Sequence, residues 1–201
     1  SISGSKPDTY YTKDELGLDV TASTRPDLIS GIIPPGLMFI IKNDYGIDIL
    51  DPDDLNGLVT LLASYIDTIV APGGSSASTV NIGSPGDPKV VVVNGDFHLN
   101  GNGAGILAVT GQLIFNGTID YDGIVLVIGQ GYMKRNGAGN GIISGGILVA
   151  NTANLAPGGQ LGVPTFDTSG AGNSGVQYCS TAIDNALSGL PLKIKAFRHM
   201  M

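Results

Sequence analysis

The sequence predicts a mainly β fold: a short right-handed β-helix, or solenoid, of parallel coils with one or two flanking helices. A β-sandwich is the alternative. Three observations predict it. Glycine supplies 31 of the 201 residues while charged residues are only 13%, which suits a chain with many tight turns, because glycine takes positive φ at little steric cost. From Lys89 onward similar units follow one another, "NGDFHLNG" at 94, "TGQLIFNG" at 110 and "QGYMKRNG" at 130, and an internal period near twenty marks stacked units. The runs "VVVV", "GIVLVIG" and "GGILVA" are apolar on both faces, as expected of central strands in a parallel sheet.

The chain is read as a single domain, 1–201, in three stretches. Residues 1–88 form an irregular N-terminal region punctuated by "KPD", "RPD" and "IPPG". Within it "GLMFIIKND" (36–44) and "GIDIL" (46–50) have brief strand character. A helix is predicted over 51–70, since Asp51 can cap it, Pro52 suits the first helical position, and Asp53 and Asp54 favour the positive end of the dipole. Leu55, Leu58, Leu62, Ile66 and Ile69 then recur at three- and four-residue steps. "DPDDLNG" resembles a calcium loop only superficially: Leu55 stands where a ligand oxygen is needed and the terminal Glu is missing. "APGGSSASTVNIGSPGDPK" (71–89) is a connection that can hold a short strand at "STVNI".

Residues 89–152 are the β-helical repeats. Six Asn-Gly pairs fall between Asn94 and Gly141. Asn-Gly between alternating strands is a strong hairpin signal, and this is what keeps the sandwich open. The repeats favour coils, because the units resemble one another in sequence. Their period is also too short for a βαβ crossover of about thirty residues. "GILAVTGQLIFNGTIDYDGIVLVIG" (105–129) is accordingly read as two successive coils, with Asn116-Gly117 at a corner. In 153–201, a long polar loop over 154–175 leads to a strand end, a helix over Ser180–Leu187 stopped by Gly189 and Pro191, and a closing strand, "LKIKAF" (192–197).

Composition narrows the function classes. The net charge is −7 and the few basic residues are scattered, which excludes an electropositive nucleic-acid footprint. With one cysteine, Cys179, no intrachain disulfide can form, and no Cys/His spacing suits zinc. Cys179 reads as an inert thiol, and His98 and His199 lie in strand-like runs without an evident acid partner. No apolar run reaches the roughly eighteen residues of a membrane span. "GAGNSG" (170–175) spells a dinucleotide fingerprint, but position 195 is Lys where an acid is required, so it reads as a glycine-rich loop.

The one cluster that could face a partner is Asp120, Tyr121 and Asp122 in "TIDYDG". Carboxylates two apart on a strand point the same way, about 7 Å apart, a spacing open to a glycosidase pair, to a carbohydrate contact or to a solvated turn. No catalytic residue, metal ligand or cofactor is assigned. The cluster is taken as a surface contact. A carbohydrate-binding or carbohydrate-active β-helix, with a groove lined by Asp120, Asp122 and Tyr121 or Tyr132, is the alternative function.

The stretch "GDPKVVVVNGDFHLNGNGAGILAVTGQLIFNGTIDYDGIVLVIGQG…GNGIISGGILVAN" is similar to a region of bacterial type IV pilus assembly proteins of the PilX-like group, membrane-anchored and minor-pilin-like. The resemblance is dense over about residues 86–152. It extends loosely to the opening "SISGS" and to "GNSGVQYCSTAIDNAL…LKIKAF". Tyr121 stands where the pattern usually has Trp, and "AFRHMM" replaces a Trp-bearing terminal strand. The resemblance implies a non-enzymatic extracellular domain in pilus assembly or adhesion at the bacterial cell surface. It brings no catalytic residues. The implied partners are pilus or cell-envelope proteins and surface glycans, with no nucleic acid. Contact with the membrane would come only through an N-terminal anchor helix preceding Ser1.

Overall fold

The computed structural model describes residues 47–65, 67–136, 141–167, 174–188 and 190, with the backbone of 11–13 and 19–21. The described chain is mainly β, with a largely parallel, open sheet and two helices. Tyr11–Lys13 (β1) and Asp19–Thr21 (β2) form a separate antiparallel pair. The helix α1 spans Pro52–Ala63. The large sheet contains Ile69–Pro72 (β3), Ser75–Ser76 (β4), Lys89–Asn94 (β5), Phe97–Val109 (β6), Gln112–Gly129 (β7), Tyr132–Asn136 (β8), Gly141–Ala156 (β9), Gln160–Gly162 (β10), Thr165–Asp167 (β11) and Ser174–Tyr178 (β12). The second helix, α2, spans Ser180–Ser188.

The repeat strands pair in parallel, with one register shift of β6 on β7 between Leu99 and Gly101. Val91 faces Leu107, Leu107 faces Val125, and Val125 faces Ile147. A second ladder joins Ser75, Phe97, Leu113, Met133 and Phe166. The long strands β6 and β7 contribute one half to each ladder, bending in β7 at Gly117, whose φ is +71°. The Asn-Gly pairs therefore do not close antiparallel hairpins between these strands. Within the large sheet, β10 on β9 is the antiparallel strand pair.

Alternation along the first ladder explains why its strands are apolar on both faces. Val91, Val93, Leu107, Val109, Val125 and Val127 join Phe97, Leu99, Leu113 and Phe115 of the second ladder in one buried cluster. Their neighbours Val90, Val92, Ile106, Ala108, Leu126 and Ile128 form another, together with Leu55, Val59 and Leu62 of α1 and Ala186 of α2. Both helices thus cover the outer face of that ladder, as a two-sided apolar sheet requires. Each fully buried aliphatic side chain contributes about 1.5–3 kcal/mol relative to exposure. Thr152 Oγ1 donates to Asn56 Oδ1 at 2.8 Å and ties α1 to β9.

The backbone of one row demands glycine. Gly105, Gly123 and Gly145 pair across β6, β7 and β9 with φ of +124°, +141° and +140°. A Cβ on Gly123 would collide with the carbonyl oxygen of Gly105, and one on Gly145 with that of Gly123. The row packs backbone on backbone at the entry to the first ladder.

Several sequence expectations need correction. The helix expected over 51–70 ends at Ala63, and Ile69 begins β3 instead, packing on the interior cluster. Ile66 lies outside the described residues. The buried stripe is Leu55, Val59 and Leu62, with Leu58 half-buried. Ser78–Ile82 is not a strand; Ala77, Val80 and Ile82 instead pack against the interior cluster. Ile47–Leu50 form a turn rather than a strand, with Asp51 N–H donating to the Asp48 carbonyl at 2.8 Å. The polar stretch 154–175 contains the end of β9, all of β10 and β11 and the start of β12, because Thr165–Asp167 extends the second ladder by pairing with β8. The strands expected at 36–44 and 192–197 lie outside the described residues.

The predicted cap is present. Asp51 Oδ1 accepts from Asp53 N at 2.8 Å and from Asp54 N at 3.3 Å. Asp51→Ala is expected to cost about 1 kcal/mol, read as a lower urea midpoint with an unchanged slope.

Candidate functional site

Asp120, Tyr121 and Asp122 lie in the middle of β7, in the rows of Asn102–Asp120–Ile142, Gly103–Tyr121–Ile143 and Ala104–Asp122–Ser144. Strand alternation sends the two aspartates to one side and the tyrosine to the other. Asp120 is exposed, Asp122 is half-buried and Tyr121 is fully buried. Tyr121 is therefore not a surface contact, which corrects the sequence expectation for that residue. Its ring packs in the interior cluster and borders, behind the nearer Ile82 side chain, the space left by the missing side chain of Gly103, with Cδ2 3.0 Å from where a Cβ on Gly103 would stand. Its hydroxyl is buried without a hydrogen-bond partner. Burial pushes the phenol's pKa well above its ordinary value, since the phenolate cannot be solvated there.

The groove expected around Asp120, Asp122, Tyr121 and Tyr132 is not assembled. Tyr132 belongs to the second ladder, paired with Gln112 and Thr165, and its hydroxyl donates to Asp167 Oδ2 at 3.3 Å. Lys134 Nζ lies 3.7 Å from the same carboxylate oxygen. His98 is half-buried, with Nδ1 2.6 Å from the Asn116 side-chain amide nitrogen.

Asp122 does border a concavity. A cleft of about 210 Å³ opens between β7 and α2. Its floor includes Ala104, Asp122 and Ser144 from adjacent strands, and its walls are α2 and the loop carrying Pro85 and Pro88. The helix is placed there by β12, which pairs in parallel with residues 141–145 of β9. The chain then turns at Cys179, whose N–H donates to the Gly145 carbonyl at 3.4 Å. Cys179, Thr181 and Asn185 consequently line the same cleft. Sequence reasoning named Asp122 but missed Ser144 and Asn185. The signal available was the aligned triplets Ala104-Gly105-Ile106, Asp122-Gly123-Ile124 and Ser144-Gly145-Gly146, which place Ala104, Asp122 and Ser144 in one row.

Among the described residues no group of three or more His, Cys, Asp or Glu side chains is arranged to hold a metal ion, and no helix is long and apolar enough to cross a membrane. His199 and most of "GAGNSG" lie outside the described residues. No family model, curated protein or solved structure matches the chain.

Proposed function

We propose that this chain is a non-enzymatic extracellular domain of a pilus-associated or cell-surface protein, acting in pilus assembly or adhesion, and that its repeats are coils of a short right-handed β-helix. The observation that carries the functional reading is the resemblance over residues 86–152 to the PilX-like group. The residues behind that resemblance serve packing. Gly105, Gly123 and Gly145 make the backbone row, and the aliphatic residues of "VVVV", "ILAV" and "IVLV" fill the two apolar clusters.

The coil reading is supported by the two parallel ladders that share β6 and β7 and contribute to one interior cluster. Parallel connections within a sheet are right-handed in nearly all proteins. Among the described residues both helices pack on the outer face of the first ladder, and a scaffold of stacked strands is in keeping with display at a surface. The full-length protein would be held by a hydrophobic anchor helix preceding this domain.

The test is to tag the full-length gene product in its own cells, fractionate them, and shear and purify the pili. The expected result is protease-accessible protein at the cell surface, with a fraction in the pilus preparation or a pilus defect on deletion. Protein found only in the cytoplasm, with pili unchanged on deletion, would refute the proposal.

A further inference from the structure

We propose that the cleft between β7 and α2 binds a single pyranose-sized saccharide unit. The lining of this cleft is amphipathic in the way a sugar ring is. Asp122, Ser144, Thr181 and Asn185 offer a carboxylate, two hydroxyls and an amide along its polar part. Pro85, Pro88 and Ala182 offer apolar surface. A pyranose presents C–H groups on its faces and hydroxyls around its rim, so one ring can rest on the prolines while its hydroxyls reach the polar groups.

The carboxylate of Asp122 is an acceptor, and hydrogen bonds to charged groups are stronger than neutral ones. An amide such as that of Asn185 both donates and accepts, which suits a hydroxyl. The floor residues Asp122 and Ser144 stand on neighbouring strands in a fixed register, so half of the site is rigid before any ligand arrives. The volume of about 210 Å³ accommodates one ring rather than an extended chain, and predicts recognition of a terminal or branch sugar. This proposal does not depend on the pilus reading. A saccharide site can exist whatever the cellular address, and the two tests fail separately.

Cys179 supplies the readout. It is the chain's single cysteine, it lines the cleft and it is partly exposed. The experiment measures the rate of its alkylation by iodoacetamide in the presence of methyl α-glucoside, methyl α-galactoside or methyl N-acetyl-β-glucosaminide. A ligand at about ten times its dissociation constant is expected to slow alkylation about tenfold.

Asp122→Asn should raise the dissociation constant at least about tenfold, which at the same ligand concentration cuts the protection to about twofold or less, and Asp120→Asn, an exposed position on the same strand, should leave it unchanged. Asn185→Ala, on the exposed side of α2, gives a second lesion that spares the sheet if Asp122→Asn fails to fold. The proposal is overturned if none of the three glycosides changes the rate, or if protection persists undiminished in the folded cleft variants.

Discussion

Gly123→Ala is expected to destabilise the domain by about 3–5 kcal/mol, from a positive-φ backbone that alanine rarely adopts and a forced displacement of packed backbone. The φ of Gly123 is +141°, and the added methyl would meet the Gly105 carbonyl oxygen, a backbone atom held in the β6 ladder. No side-chain rotation can relieve that contact. Since domains of this kind are stable by only about 5–15 kcal/mol, the variant is expected to melt roughly 10 °C lower or more. Gly57→Ala makes the control. Gly57 lies within α1, and nothing stands within 4 Å of its would-be Cβ. There alanine is expected to stabilise by about 0.5–1 kcal/mol through helix propensity. Thermal and urea melts of the two variants should move in opposite directions. Equal, small effects would mean that the glycine row is not a packed element of the fold.

Tyr121 is expected to behave as a core residue in every measurement. Tyr121→Ala should cost about 3–5 kcal/mol, because a large buried ring leaves a cavity among Ile82, Gly103 and Ile143. Tyr121→Phe removes a buried hydroxyl that has no partner, so it should be neutral or stabilising by up to about 1 kcal/mol. The alkaline limb separates the two roles further. Burial raises the phenol's pKa in the folded state, whereas in the unfolded chain it ionises near 10. The native state therefore holds its proton where the unfolded state has lost it. The contribution is intact below pH about 10 and is lost as pH rises above that, by about 1.4 kcal/mol per pH unit. Urea midpoints of the wild type should fall more steeply between pH about 10 and 11 than those of Tyr121→Phe. Parallel slopes would place the hydroxyl in water, on the surface.

The sequence was informative wherever a local pattern has a single physical reading. Asp51, Pro52 and the two following aspartates announced a helix start, and α1 begins there. Its end was misplaced because Leu62, Ile66 and Ile69 keep helical spacing, while Ile69 belongs to the strand that opens the first ladder. That strand is defined by its partner Val91, which no local window contains. The two-sided apolar runs correctly marked strands covered on both faces. Short pieces such as Ser75–Ser76 and Thr165–Asp167 carry almost no strand signal of their own and exist because a ladder edge is there to receive them.

The same division runs through the candidate site. "TIDYDG" drew notice as a cluster of polar side chains, and alternation alone already required Asp120 and Asp122 to part from Tyr121. Which side was the interior depended on the opposing ladder, and only the packed structure sends the tyrosine inward and leaves the carboxylates outward. Ser144 lies beside Asp122 through the 22-residue register of β7 on β9, and Asn185 arrives through the placement of α2. By itself, then, the sequence determined the repeat, the parallel texture of its strands and the start of the first helix, because periodicity, two-sided hydrophobicity and capping are local properties. Tertiary structure alone decided which side of the strands became the interior, where the short edge strands dock and what α2 brings to the cleft, because those depend on which backbone hydrogen bonds pair residues far apart in the chain.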